Sequence, residues 1–310
     1  MRIAIVGQKD FGKSALEAFA ARGDEIAGVF CAPEKAGSPP DPLAVTATER
    51  NIPVFRLPNL KSEEARRVLG SLQADLGVMA YVLQFVPQDF AKVPRFGTIG
   101  YHPSLLPKYR GPSSINWPII RGDTVTGLTI FRPTDGLDEG PIVLQKETPI
   151  GPDDTLGKVY FDRLYPMGVA ALLEAADLIA GGRAAERVQD ESQASYEGWC
   201  RAAEARINWH NHVDVVYNLI RGCDPAPGAW TTCNGRKLQL FAARKHPVRT
   251  YGQVVGGIGS IAAIGAQSVF ITTQGGQIEV ANVRPEDGKK STAAAFCAQA
   301  GLGVGAVLGA

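Results

Sequence analysis

Two short stretches hold the residue types needed for proton transfer at an acyl centre. His102-Pro103-Ser104-Leu105-Leu106-Pro107-Lys108-Tyr109-Arg110-Gly111 puts one histidine on a proline-bounded loop and a cation beside a flexible glycine. Asp135-Gly136-Leu137-Asp138-Glu139-Gly140 is a glycine-flanked acidic loop, with Asp138 lying 36 positions after His102. Apolar runs precede both, 97–101 and 127–131, so each residue is expected just beyond a strand. In a parallel α/β sheet that place is the carboxyl edge, where ligands bind. A histidine and a carboxylate meeting there can shuttle a proton and stabilise an oxyanion. Alone, His102 reads as a hydrogen-bonded structural residue and Asp138 as the cap of a glycine turn. The pairing of the two loops is what favours chemistry.

Those loops need a sheet behind them, and the chain supplies its elements in order. Residues 2–6 are an apolar run closed by Gly7, and 11–22 carry apolar residues at helical spacing, which is strand, turn, helix. The turn, Gly7-Gln8-Lys9-Asp10-Phe11-Gly12-Lys13-Ser14, also matches GxxxxGK[ST], the phosphate-cradling loop. No later apolar strand ends in an aspartate placed to hold magnesium, so a tight first βα turn is the better reading. A second strand follows at 25–31, a loop broken by four prolines at 33–42, a helix at 43–50 and a short edge strand at 53–55. Residues 62–72 form a charged amphipathic helix and 76–80 a buried strand. The next loop, 81–87, is apolar with one amide, Gln84, and by its residues alone reads as core packing.

The runs 129–131 and 142–145 flank the acidic loop as an antiparallel pair. Two helical runs, 153–164 and 166–180, come next, the first with Asp153, Asp154 and Thr155 at its positive end. After a polar stretch, 181–194, the character changes. A helix at 210–221 precedes short runs at 229–233, 238–244, 259–264, 268–273 and 277–283, with Asn234-Gly235 as a hairpin turn. That spacing predicts a small β-barrel, and the glycine-rich end, 301–310, is expected to fray. The fold class is therefore α/β, a Rossmann-like and mostly parallel sheet followed by a small C-terminal β-barrel. The expected domains are a catalytic domain over 1–180, a linker over 181–205 and the barrel over 206–310.

Composition narrows the function classes. With 45% hydrophobic and 20% charged residues and a formal charge of +1, the 310-residue chain has no general electrostatic case for nucleic acid or membrane binding. Five widely spaced cysteines without a CxxC read as free thiols of a reducing compartment. No basic-then-apolar leader opens the sequence and no apolar run reaches membrane-spanning length, so a cytoplasmic location is expected. His210 and His212 do not share a helix face, and no metal is expected.

The His102 and Asp138 stretches together resemble the folate-dependent formyltransferase family: methionyl-tRNA formyltransferase, glycinamide ribonucleotide formyltransferase and the hydrolase domain of 10-formyltetrahydrofolate dehydrogenase. The likeness is greatest to the last. It extends through Pro33-Glu34-Lys35, Asp41-Pro42-Leu43, Gln84-Phe85-Val86-Pro87, Ile115-Asn116-Trp117, Tyr196-Glu197-Gly198, Arg221-Gly222 and Pro227-Gly228-Ala229-Trp230, nearly the whole chain. The resemblance implies that His102 polarises the formyl group of 10-formyltetrahydrofolate and steadies the oxyanion. It implies that Asp138 orients that histidine and relays the proton towards the departing N10. It also implies a pterin pocket lined by Gln84, Phe85, Val86, Leu105, Arg110, Asp135, Gly136 and Leu137. Asp135 takes no catalytic role, and Arg110 either meets the glutamate tail or braces its loop.

One departure from the family matters. Its formyltransferases carry an asparagine two residues before the histidine, whereas this chain has Gly100 and the folate hydrolase domain has an apolar residue. Losing such a donor costs about 3 kcal/mol of transition-state stabilisation. The expected function is therefore hydrolysis of 10-formyltetrahydrofolate to tetrahydrofolate and formate, without NADP-dependent oxidation. Formyl transfer to an amine, on initiator methionyl-tRNA, an amino sugar or an amino acid, is the alternative, because glycine also leaves space for an acceptor. No nucleotide cofactor and no membrane partner are expected, and a homo-oligomer stays open. tRNA is not favoured: Lys237, Arg244, Lys245, His246 and Arg249 could make a basic patch, but a solvated face is the plainer reading.

Overall fold

In the computed structural model, residues 1–34, 37–248 and 256–309 are described; Lys35 and Arg249 lie outside them. The chain divides into two compact units. The first comprises Met1–Gly111, Gly127–Thr148 and Arg163–Tyr196, and the second Pro112–Thr126, Pro149–Asp162 and Glu197–Ala310.

The first unit is built on a seven-stranded sheet of β1 (Arg2–Gly7), β2 (Glu25–Cys31), β3 (Val54–Arg56), β4 (Leu76–Ala80), β5 (Thr98–His102), β6 (Val125–Phe131) and β7 (Ile142–Pro149), in the order β3-β2-β1-β4-β5-β6-β7. The pairs from β3 through to β5 are parallel, as strand–helix–strand connections dictate. β1 is buried along most of its length, which is why it reads as a continuous apolar run rather than an alternating one.

Two expectations about the site's strands change. His102 is the last residue of β5, not a loop residue beyond it. β6 runs antiparallel to β5, with Gly100 opposite Phe131 and His102 opposite Thr129, so the sheet is mixed where the site lies. The chain leaving Phe131 therefore departs level with Gly100, and the loop 132–141 has to turn back to bring Asp138 to His102.

The helix expected over 153–164 is one turn, Leu156–Val159, capped by Thr155, whose hydroxyl accepts from the Lys158 N–H at 3.2 Å. A π-helical turn, Tyr160–Leu164, follows and leads into the helix Tyr165–Ala180. The stretch expected as a linker is divided between the units, its residues up to Tyr196 belonging to the first.

The second unit holds a six-stranded sheet of β8 (Trp230–Cys233), β9 (Arg236–Pro247), β10 (Ile261–Ile264), β11 (Val269–Thr273), β12 (Gly276–Pro285) and β13 (Ser291–Thr292), with antiparallel pairings. Asn234 and Gly235 both have positive φ, 52° and 73°, the conformation of a tight hairpin turn joining β8 to β9. The helix Val213–Gly222 starts later than its periodicity suggests, because the His212 ring accepts from the Asp214 N–H and caps it. Its apolar face meets Trp209, Leu238, Leu240, Ile278 and Val280 in one buried cluster.

The glycine-rich end does not fray. Gly305 N–H bonds to Ile261 O, Leu308 N–H to Gly259 O and Gly309 N–H to Thr232 O, each at 2.8–2.9 Å, and Leu308 is buried. All five cysteines are free and buried, with the sulfurs of Cys200 and Cys223 3.7 Å apart. No helix among the described residues is long and apolar enough to cross a membrane.

Candidate active site

His102 is buried at the end of β5, and the loop after it is pinned on its far side. The Ser104 hydroxyl donates to Lys108 O at 2.7 Å, Thr129 Oγ1 donates to Ser104 O at 2.7 Å, and the Leu106 N–H donates to Thr129 Oγ1 at 3.1 Å. The loop then returns, and the Tyr109 carbonyl meets His102 Nε2 at 2.8 Å. A carbonyl only accepts, so Nε2 carries the hydrogen and Nδ1 is the nitrogen left for chemistry.

Nδ1 faces Asp138, with Oδ2 at 3.5 Å. The same Oδ2 accepts from the Gly111 N–H at 2.8 Å. Tyr109 and Asp138 both have positive φ, 60° and 54°. Backbone of that kind persists only where surrounding bonds over-determine it, and such residues cluster at functional sites. Sequence reasoning thus names both members of the pair, and the structure brings them together.

The positions expected to line a pocket divide. Phe85 and Leu137 expose large apolar side chains. Gln84 Nε2 donates to Leu57 O and Pro58 O at 2.9 and 3.1 Å. Asp135 Oδ1 accepts from the Gln88 N–H at 2.9 Å, tying the acidic loop to the end of the 81–87 loop. At Gly136 a β-carbon would meet only the carboxylate end of Glu139, an exposed side chain that can move aside. Leu105 lies on the wall of a separate cavity of about 330 Å³ behind the His102 loop, shared with Lys108, Arg187 and Gln189. Val86 is buried in a core cluster with Leu60 and Phe90.

Arg110 is fully buried. Its guanidinium donates to Gln189 Oε1 at 2.9 and 3.2 Å, to both Glu191 carboxylate oxygens at 2.5 and 2.9 Å and to the Tyr196 hydroxyl at 2.5 Å. The hydrogen bond to Glu191 holds the arginine above its usual range, and the same bond holds the Glu191 carboxyl below the ordinary carboxylate range. Of the two roles open to Arg110 in the sequence, the geometry supports the brace. Gln189 and Glu191 were invisible to sequence reasoning, because a polar stretch without periodicity carries no sign of what it touches, and Tyr196 stood out only as part of the resemblance.

Gly100 also behaves differently from its sequence reading. A β-carbon at this position would lie 3.1 Å from Cε1 and 3.4 Å from Cζ of Phe131, the residue opposite it in β6. The space beside the glycine is filled by that ring, which also stands edge-on to His102 with centroids 6.5 Å apart.

The GxxxxGKS match makes no phosphate cradle. The helix Lys9–Ala21 begins directly, and the Asp41 carboxylate accepts from the Lys9 N–H at 3.0 and 3.1 Å, where an anion would sit. Lys13 lies 4.0 Å from Glu17, and the Ser14 hydroxyl bonds the Tyr165 hydroxyl at 2.7 Å. Among the described residues no group of three or more His, Cys, Asp or Glu side chains could hold a metal ion.

The comparisons with known proteins now bear on this arrangement. The family model described as formyl transferase matches residues 1–175, and that of the formyl transferase C-terminal domain matches residues 200–301. The chain belongs to the formyl transferase family. A cytosolic 10-formyltetrahydrofolate dehydrogenase of Mus musculus is 39% identical across 96% of this chain, which spans only 34% of that protein. A methionyl-tRNA formyltransferase of Syntrophus aciditrophicus (strain SB) is 35% identical over 99% of this chain and 98% of its own length. In fold, the chain is similar to HypX from Aquifex aeolicus, solved in complex with tetrahydrofolic acid, with a TM-score of 0.68 at 19% identity over 98% of this chain and 48% of HypX.

Proposed function

We propose that this protein hydrolyses 10-formyltetrahydrofolate to tetrahydrofolate and formate, with His102 and Asp138 as its catalytic residues. The observation that carries water as the nucleophile is the pair Gly100 and Phe131. No side chain two residues before His102 offers an amide to the oxyanion, and the ring fills the room beside the glycine. The similarity to 10-formyltetrahydrofolate dehydrogenase supports the substrate.

The geometry suits the following sequence of events. The exposed apolar residues of the 81–87 and 132–141 loops, Phe85 and Leu137 among them, cover the pterin, while the 134–140 backbone meets its polar edge. Water adds to the formyl carbon as the Asp138 carboxylate takes its proton. The negative charge that forms on the formyl oxygen is met by His102 Nδ1–H. That bond is available only from the imidazolium, because the Nε2 hydrogen is committed to Tyr109 O. Asp138 then passes the proton to N10, the C–N bond breaks, and tetrahydrofolate leaves with formic acid, which gives its remaining proton to solvent to become formate.

Formyl transfer to an amine remains the second reading, favoured by the full-length match to the methionyl-tRNA formyltransferase. Two members of the basic patch that would grip tRNA are answered by acids: Lys245 pairs with Asp214 at 2.5 Å and His246 with Glu279 at 2.9 Å. Purified protein given 10-formyltetrahydrofolate and no acceptor should release formate and tetrahydrofolate in equal amounts. His102→Ala and Asp138→Ala should each lower that release by about 10²- to 10⁴-fold, leaving a measurable residual rate, while still binding 5-formyltetrahydrofolate. Tight folate binding by the wild type without turnover would hand the site to an amine acceptor.

A further inference from the structure

We infer that Gln189 is a positioning residue that sets His102 and Asp138 at their working separation, an inference that rests on the catalytic roles proposed above. Its side chain is 5% exposed and every hydrogen-bonding position on it is used. Oε1 accepts from Arg110 Nε and Nη2 at 3.2 and 2.9 Å, and Nε2 donates to Asp138 O and Gly140 O at 2.8 and 2.7 Å. The orientation of the amide follows from its partners, since guanidinium only donates and carbonyls only accept.

Arg110 is the middle of a tripeptide that touches both catalytic groups. Tyr109 O holds His102 Nε2, and Gly111 N–H holds Asp138 Oδ2. The oxygen side of one amide thus fixes the backbone carrying those two contacts, and its nitrogen side fixes the main chain of Asp138. Glu191, Tyr196 and the Arg110 N–H bond to Ser195 O, at 2.8 Å, hold the arginine end in register. Only a carboxamide can face a guanidinium with one end and two carbonyls with the other, and asparagine carries the same amide on a stem one methylene shorter. Glutamate would keep the arginine half and turn an acceptor on the two carbonyls; leucine would take away the Gln189 bonds of Arg110, which keeps Glu191 and Tyr196, and those of the two carbonyls.

The deciding variant is Gln189→Glu, with Gln189→Leu as the stronger perturbation and Val188→Ala, an exposed neighbour, as control. Rates are taken per folate-binding site, titrated with 5-formyltetrahydrofolate, so that loss of folded protein cancels. Gln189→Glu should lower kcat by about 10- to 10²-fold, the scale of a misplaced catalytic group. KM should stay within about twofold, the signature of an interaction that acts only in the transition state. In an Asp138→Ala background the same change should leave the residual rate where it was. A wild-type kcat per site in Gln189→Glu, or an undiminished loss in the Asp138→Ala background, overturns the inference. Absence of turnover in the wild-type protein overturns the hydrolase reading instead, and the two failures are told apart by that control.

Discussion

Gly100→Asn tests whether Phe131 is what shapes the nucleophile's side of the site. A β-carbon at position 100 would already sit 3.1 and 3.4 Å from two ring carbons of Phe131 and 3.6 Å from the Met79 sulfur. The amide beyond it would need space the ring occupies, and overpacking of that kind costs about 1–3 kcal/mol. Phe131→Ala alone removes the ring from its buried cluster with Leu106 and Ile142 and should cost about 3–5 kcal/mol. Combined, the asparagine enters the vacated space, so the double variant should cost less than the sum by about 1–3 kcal/mol. Urea unfolding of the four proteins reads the cycle. Turnover of 10-formyltetrahydrofolate reads the chemistry, where the double variant should outpace Phe131→Ala by up to about 10²-fold as an oxyanion donor is restored. A Gly100→Asn protein as stable as wild type, or strictly additive costs, would refute the reasoning.

The other predictions concern stability. Tyr217 donates to Asp153 at 2.8 Å, and its hydroxyl is pushed well above the ordinary tyrosine range by burial and by that carboxylate. Tyr217→Phe should cost about 1.5–3 kcal/mol in urea unfolding, the scale of a hydrogen bond to a charged group, and a neutral result would deny the bond. Burial alone would raise the Asp24 carboxyl, but hydrogen bonds and charge from Arg22 and the chain's amino group outweigh it and hold the group low. A depressed carboxylate stabilises the fold above its unfolded pKa and loses that contribution as pH falls through the folded value. The stability gap between wild type and Asp24→Asn should therefore be full at neutral pH and close below the usual aspartate range; a gap independent of pH would contradict it. Removing residues 302–309 should lower the melting temperature, since their amides bond to Ile261, Gly259 and Thr232 and Leu308 is buried. An unchanged melting temperature would return this end to a loose tail.

Much of the fold is readable in the chain because its signals are local. Leu76–Ala80 is an uninterrupted apolar run that follows the polar Asp75, and it is a strand over those same residues. Asn234-Gly235 needs only its two φ values to make a hairpin turn. His102 and Asp138 stand out by residue type, loop setting and resemblance, without any knowledge of how far apart they lie.

Other features depend on partners distant in sequence. That β6 runs antiparallel follows from sheet topology, and with it the ring of Phe131 facing Gly100. Arg110 could be assigned to a ligand or to a brace until Gln189, Glu191 and Tyr196 were seen to take its donors. The glycine-rich end looks loose because glycine lacks local preference, yet its amides pair with Ile261 of β10, Thr232 of β8 and Gly259. Residue type and periodicity, which set backbone preference over a few positions, determined most of the elements, and the pairing of two loops with a family resemblance singled out His102 and Asp138 as candidates. Only the tertiary structure decided their separation, the Nδ1 face of His102 and the filled space beside Gly100, because these rest on hydrogen bonds and packing between residues that the sequence keeps far apart.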